Sequence, residues 1–311
     1  NRGQSHACNG NYTLFCFRVE ELYLANVTLG NYCSVDLVYP ANPALNQKKR
    51  TETVTQAQLA FQKGEKLCAD NCRFVSRLNL VPVCGAKRAL YRKCHFESTD
   101  DALNGNAVYV GCDFDFYGNR PIYQATGTGA VFIDCIFRSK IKTMGTEAEQ
   151  YLTKEGGQVA LIDCRYETEG NVPVRVGWTK YPLPSLKCYQ YGVVQNGKPV
   201  TLGGDDSEET VQLQGKKALE AYVFEYEEKR YINIENLLGG SKGWNPPGEP
   251  SISKKAGKLR IPTFMQLHTD REKIAFGEET IHVTANVYLF SGEECQERVD
   301  FFLEKSDMVY A

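Results

Sequence analysis

The sequence predicts an all-β protein: a right-handed parallel β-helix (a solenoid) followed by a small C-terminal β-sandwich-like module. Three observations carry this expectation. A pattern of apolar residues, one polar residue, Cys, any residue, then Phe or Tyr recurs along the chain. Its cysteines, Cys72, Cys94, Cys112, Cys135, Cys164 and Cys188, follow at steps of 22, 18, 23, 29 and 24 residues. Steps in that range with short β-rich segments mark a stack of coils, because no single coil can bury its own apolar face. Within each segment, side chains alternate at period two, as strands require. A leucine-rich repeat shares the period but needs a fixed Leu-x-x-Leu-x-Leu frame and an Asn, and neither occurs. The competing architecture is a β-sandwich whose strands resemble one another by chance.

In chain order, residues 22–29 form an early copy of the repeat with Val27 in the cysteine place. Val27 and Cys72 are 45 residues apart, which fits two coils or one coil with a long loop. Residues 42–52 are polar and basic and read as that exposed loop. The segment from Thr53 to Phe61 resumes alternation. Gap-free copies then begin at Leu67, Ala89, Ala107, Ala130 and Val159, and a looser copy at Ser185. Asn196-Gly197 predicts a tight hairpin turn after the last copy. Residues 207–222 have weak helical periodicity and are expected to cover the solenoid end, where exposed strand edges invite pairing. The boundaries are residues 1–240 for the β-helix, 241–257 for a Gly/Pro-rich linker and 258–311 for the last module. In that module, residues 260–264, 279–290 and 299–303 read as strands.

Composition narrows the function. Lys plus Arg number 36 and Asp plus Glu 38, for a net charge of -2. That balance offers no basis for nucleic-acid binding or attraction to an anionic membrane. No apolar run reaches the roughly 20 residues of a spanning helix. The chain opens on Asn rather than Met, so a processed or trimmed product is expected. Of 12 cysteines, the six in the repeat are expected to stack as a ladder of buried thiols acting as small apolar residues. Some disulfides remain the alternative. No CxxC occurs and the four His are scattered, so no metal site and no cofactor are expected.

The candidate site lies just past the repeated strands, where neighbouring coils bring side chains to equal heights. Seven residues beyond successive cysteines stand Asn79, Asp101, Asn119 and Lys142; five beyond stand Arg77, Thr99, Tyr117 and Lys140. Asp100 and Arg120 flank the first column. Coils stack about 4.8 Å apart, so kept register would gather a carboxylate pair, amides and cations. Such a set suits a sugar-acid polymer. Asp101 would act as nucleophile or base, with Asp100 as partner acid. Arg77, Arg120, Lys140 or Lys142 would hold a uronate carboxylate. Tyr117, Tyr123, Trp178 and Tyr181 would stack on sugar rings. Against this stand plainer roles: Asp100 and Asp101 as turn caps, and Asn79 and Asn119 as an asparagine ladder.

Residues 56–60 (Gln-Ala-Gln-Leu-Ala), 70–75 (Asp-Asn-Cys-Arg-Phe-Val), 89–101 and 105–108 (Gly-Asn-Ala-Val) together resemble the core of the pectin methylesterase family. The resemblance covers roughly residues 53–112. It implies a β-helix and ester hydrolysis on an acidic plant polysaccharide. By it, Asp101 falls on the nucleophilic aspartate and Gln56, or Gln58 by register, on the glutamine that stabilises the oxyanion. The family's general-acid aspartate falls on Asn79 and its preceding glutamine on Leu78. The Gly-Arg-Pro-Trp motif has an echo in Arg175-Val-Gly-Trp178. An amide cannot give and recover a proton as a carboxylic acid does, so Asp100 is the candidate to replace it. The tail resembles part of a bacterial immunoglobulin-like module. The combination is similar to secreted, periplasmic or cell-surface proteins of gut Bacteroides-type bacteria. The expected function is thus a pectinesterase-type hydrolase with a polysaccharide partner, acting as a monomer. A lyase or glycosidase on the same scaffold and a non-catalytic glycan-binding or adhesion protein are the alternatives.

Overall fold

The computed structural model describes residues 14–31, 36–48, 59–76, 83–84, 86–125, 129–141, 148–178, 187–239, 244–248, 262–270, 282–289 and 294–295. Two eight-stranded sheets dominate. The first contains Glu21–Ala25, Lys66–Asp70, Arg88–Arg92, Ala107–Val110, Ala130–Ile133, Gln158–Ile162, Lys187–Tyr191 and Thr210–Gln212, side by side in chain order and all parallel. The second contains Thr28–Asn31, Arg73–Ser76, His95–Ser98, Asp113–Phe116, Ile136–Ser139, Arg165–Glu167 and Val194–Gln195, again parallel, and closes on Lys198–Pro199, which turns back antiparallel. Shorter parallel pairings make a third row. Phe15–Phe17, Ala60–Gln62 and Val83–Cys84 form one group, and Gln150–Thr153 and Val174–Gly177 another. Leu103, Ile122 and Thr153 join through isolated parallel bridges. The protein is therefore all-β with long parallel sheets, an arrangement compatible with a parallel β-helix.

Local sequence explains the corner between the two large sheets. The residue before each repeat cysteine adopts positive φ: Asn71 50°, Lys93 51°, Gly111 60°, Asp134 54° and Asp163 51°; Asn26 does so at 56° before Val27. A single left-handed residue reverses the chain without a loop, and Asn, Asp and Gly bear that conformation best. Asn71 Nδ2 also donates to Asn26 Oδ1 at 2.7 Å, linking two corners. Thr28 pairs with Arg73, so Val27 to Cys72 is one coil with a long excursion.

Inside the corner, the residue two past each cysteine is aromatic. Phe74, Phe96, Phe114, Phe137 and Tyr166 stack with successive centroid spacings of 5.1, 5.0, 5.2 and 4.7 Å. These spacings match the separation of hydrogen-bonded strands, about 4.8 Å. A second column, Tyr91, Tyr109 and Phe132, rises from the first sheet at 4.9 and 4.7 Å. The columns meet edge to face, at 78°, 73° and 74° for Phe96–Tyr109, Phe114–Tyr109 and Phe132–Phe137, the geometry ring quadrupoles favour. Each fully buried ring contributes about 1.5–3 kcal/mol by burial alone.

Cys72, Cys94, Cys112, Cys135 and Cys164 are buried free thiols, as the ladder predicts. Cys188 is a correction. It pairs with Val159 in the first sheet, five residues before the cysteine place, which Val193 occupies beside Cys164. Cys164 to Val193 is a step of 29 residues, five more than the count to Cys188, so Gly192 rather than residue 187 makes the left-handed corner. Cys16 is disulfide-bonded.

The outer face of the first sheet is apolar, and the chain returns to cover it. Cys68, Leu90, Val108, Val131, Ile133, Ala160 and Ile162 pack under Tyr222, Val223, Ile232, Ile234, Leu237, Leu238 and Trp244. Trp244 Nε1 donates to Glu21 Oε1 at 2.8 Å, and the Arg88 guanidinium lies 5.7 Å from its ring centre. The helix expected over 207–222 is limited to Gly215–Leu219. Thr210–Gln212 instead adds the eighth strand to the first sheet. Asn196 and Gly197 form the expected hairpin turn, both at positive φ, 48° and 80°. Toward the C-terminus, Pro262–Thr269, Val283–Leu289 and Glu294–Cys295 form a three-stranded antiparallel sheet. The strand expected over 299–303 lies outside the described residues.

Candidate functional site

Asp100 and Asp101 follow the strand His95–Ser98. That strand is in register with its neighbour, Phe96 facing Phe114 and Ser98 facing Phe116. Register then slips by one. Asp101 N–H donates to Arg120 O at 2.8 Å, and Leu103 bridges Ile122. The next coil has one more residue between strand and bridge. Asn119 is therefore not level with Asp101, as equal counting predicts; Arg120 is. Gly118 makes the slip possible, since a Cβ there would lie 2.4 Å from Asp100 Oδ1.

Arg120 closes on Asp100. Its backbone N–H donates to Oδ1 at 2.9 Å, and its Nη2 and Nε to Oδ2 at 2.8 and 3.3 Å. The same guanidinium lies 4.0 Å from the centre of the Trp178 ring, within cation–π range. The expected sugar-stacking tryptophan and one expected cation thus form a single unit. Asp100, expected as a partner acid, anchors that unit.

Asp101 is different. Its own backbone is left-handed, at φ 56°. Its Oδ2 lies 3.7 Å from Lys154 Nζ, and the two side chains retain 17 % and 24 % exposure. Its Oδ1 is buried, with no hydrogen-bond partner. Burial pushes the Asp101 carboxyl above the ordinary aspartate range, and the Asp100 charge adds to this; Lys154 and Arg120 pull the other way. Ser98, Thr99 and Asn104 each also hold a buried side-chain polar atom without a partner. Orphaned buried polar atoms are rare in folded proteins, and each calls for an explanation.

Lys154 is held by its strand. Its N–H donates to Ile122 O at 2.8 Å, and its ammonium sits 5.1 Å from the Tyr123 ring centre. The Tyr123 hydroxyl hydrogen-bonds Glu155. Counting from the cysteines misses Lys154, because it closes a strand, Gln150–Thr153, that lacks the repeat. The legible signal is the alternation of Gln-Tyr-Leu-Thr-Lys itself.

Arg175 sits one strand further on. Its Nε contacts Glu149 Oε1 at 2.6 Å, and Tyr151 hydrogen-bonds the same carboxylate. Burial raises the Glu149 carboxyl, but Tyr151 and Arg175 outweigh it and hold it below its usual range. The Tyr151 hydroxyl is pushed up to about 12 by burial and then by Glu149. Asn119 Nδ2 donates to Glu149 O at 3.2 Å, which makes it a link between strands. Asp100, Asp101, Asn119, Arg120, Arg175 and Trp178 therefore belong to two adjoining clusters. Lys140 is exposed, and Gln56, Arg77, Asn79, Lys142 and Tyr181 lie outside the described residues. Among the described residues, no group of three His, Cys, Asp or Glu is placed to hold a metal ion, and no helix is long and apolar enough to cross a membrane.

Searches of protein-family models, curated proteins and solved structures each found no match to this chain.

Proposed function

We propose that the chain is a right-handed parallel β-helix enzyme that hydrolyses esters on a uronate-bearing polysaccharide, with Asp101 as general base. The observation that carries this reading is the environment of Asp101: a half-buried carboxyl with one orphaned oxygen, beside a lysine and next to an Arg120–Trp178 plate. A carboxyl raised by burial suits a group that takes and returns a proton near neutral pH. In the step, water attacks the ester carbon and Asp101 accepts its proton. The ester C–O bond breaks, and the alcohol leaves with a proton returned by Asp101. Arg120 supplies positive charge beside the developing oxyanion, and Trp178 offers an apolar plane to a sugar ring. The pectin methylesterase resemblance of residues 53–112 supports ester hydrolysis over glycoside cleavage. Export to a bacterial surface or periplasm, with an immunoglobulin-like tail as spacer, is part of the same proposal.

The test is release of methanol or acetate from esterified pectic polysaccharides by the wild type and by Asp101→Asn. Release by the wild type and its loss in the variant are expected. No release from any esterified glycan would sink the esterase reading, and an ultraviolet-absorbing unsaturated product would assign a lyase instead. Non-catalytic glycan binding is the second reading. It is favoured by the buried Oδ1 of Asp101 and by the Asp100 and Glu149 carboxylates already paired with arginines. Binding to pectic fragments that Asp101→Asn leaves intact, without product, would establish it.

A further inference from the structure

A cavity on the outer face of the first large sheet shares no residue with the Asp101 site. It holds about 330 Å³ and lies among Tyr191, the helix Gly215–Leu219, Glu220 and the paired strands Val223–Tyr226 and Lys229–Ile232. That volume falls within the range of small-molecule sites. Part of its wall is apolar: Leu219 and Val223 belong to the cover packed on that sheet. Tyr191 adds a ring 41 % exposed. The charged part of the wall is unbalanced. Arg230 is committed to the corner carboxylates Asp134 and Asp163, at 3.2 and 2.5 Å. Glu225 stands directly across the hairpin from Arg230, yet Arg230 pairs with those two instead. Among the described residues, Lys216, Glu220 and Glu225 have no ion-pair or side-chain hydrogen-bond partner.

We propose that this cavity binds a small organic cation, a primary amine with an apolar body, its ammonium held by Glu220 and Glu225 and its body lying against Leu219 and the Tyr191 ring. Counting Asp134 and Asp163, four carboxylates face the two cations Lys216 and Arg230, so the wall is net negative. Unpaired carboxylates give charge-assisted hydrogen bonds to an ammonium. An exposed aromatic face adds cation–π attraction. An alkyl amine is charged at neutral pH, as lysine is with its value of about 10.4. A carboxylate of the same size meets repulsion instead, so a uronate is excluded and the site stands apart from the hydrolase reading. Lys216 is exposed and carries the same sign as the ligand. Its presence costs affinity, which fixes the direction of one test.

The experiment is a methyl-detected NMR titration of the full chain, following Leu219 and Val223. The probe is 2-phenylethylamine, with 2-phenylethanol as its uncharged counterpart and 3-phenylpropionate as its anionic one. The amine should shift both methyl signals saturably. The alcohol should bind about fivefold or more weakly, and the propionate should leave the signals in place. Glu225→Gln, at an exposed position, should weaken the amine about threefold to tenfold. Lys216→Met should tighten the amine about twofold to threefold and leave the alcohol unchanged. Amine that fails to move Leu219 and Val223 overturns the proposal. So does an amine bound no more tightly than the alcohol, which would make the cavity merely apolar. Amine affinity indifferent to both Glu225→Gln and Lys216→Met in folded variants overturns it as well.

Discussion

Phe114 sits where the two aromatic columns cross, so its removal tests whether the interior is packed. Its ring stacks between Phe96 at 5.0 Å and Phe137 at 5.2 Å, and meets Tyr109 and Phe132 edge-on at 5.5 and 5.7 Å. It has no solvent exposure. Truncation of a core Phe to Ala costs about 3–5 kcal/mol. Each aromatic pair adds roughly 0.5–1.5 kcal/mol beyond area, and five pairs, Phe116 at 5.7 Å included, are lost at once. Phe114→Ala should therefore fall near the top of that range, about 4–5 kcal/mol. Tyr23→Ala, at a ring 59 % exposed, should cost within about 0.5 kcal/mol. The assay is denaturant unfolding followed by circular dichroism, comparing midpoints at unchanged slope. A loss under about 1 kcal/mol at Phe114 would refute a continuous aromatic interior.

Three further outcomes follow from named contacts. Lys93 carries its left-handed corner with a Cβ and Gly111 without one, so Lys93→Gly should stabilise by about 0.5–1 kcal/mol and Gly111→Val should destabilise by roughly 1–2 kcal/mol, read by thermal unfolding. Gly118→Ala would press on Asp100 and part Arg120 from Trp178; tryptophan fluorescence should change, and product release should fall about tenfold or more. On the outer face of the second sheet, Glu97 raises the His95 imidazole against the effect of burial, and Asp113, at 2.6 Å, adds to the rise. A raised folded value stabilises fully below the unfolded value, about 6.5, and is lost as pH rises through the folded value. Unfolding free energy should thus fall as pH climbs above about 6.5, and His95→Gln should flatten that fall. Asp113 acts in the opposite window. Burial pushes its carboxyl up, but His95 and Arg138 hold it low, so its share vanishes as pH falls through that lowered value.

What was legible in the sequence was periodic. The Cys-x-Phe rungs specify corner, thiol and ring in one stroke, and the registers of residues 89–98, 107–116 and 130–139 follow directly from them. Where periodicity ends, counting fails. Cys188 mimics the repeat in residue type, yet the last coil runs five residues further and Val193 takes the place. The Asp101 column slips by one because a single extra residue follows Phe116, a change with no compositional mark. Lys154 was invisible for a related reason: it lies on the third row, whose strands carry neither the Cys-x-Phe rung nor a fixed spacing. The apolar outer face of the first sheet was also hidden, because alternation reads as inside and outside until a later segment covers the outside. Tyr222, Val223, Ile232, Ile234, Leu237, Leu238 and Trp244 do so.

The central claim is that Asp101 works as a base tuned by its surroundings, and the dependence of kcat/KM on pH for ester hydrolysis tests it most directly. The acid limb should lie above the ordinary aspartate value of about 3.9, because burial raises Asp101. It should move higher still in Lys154→Met, and activity should vanish in Asp101→Asn without loss of folding. An acid limb at the ordinary aspartate value, or one indifferent to both substitutions, would contradict the account.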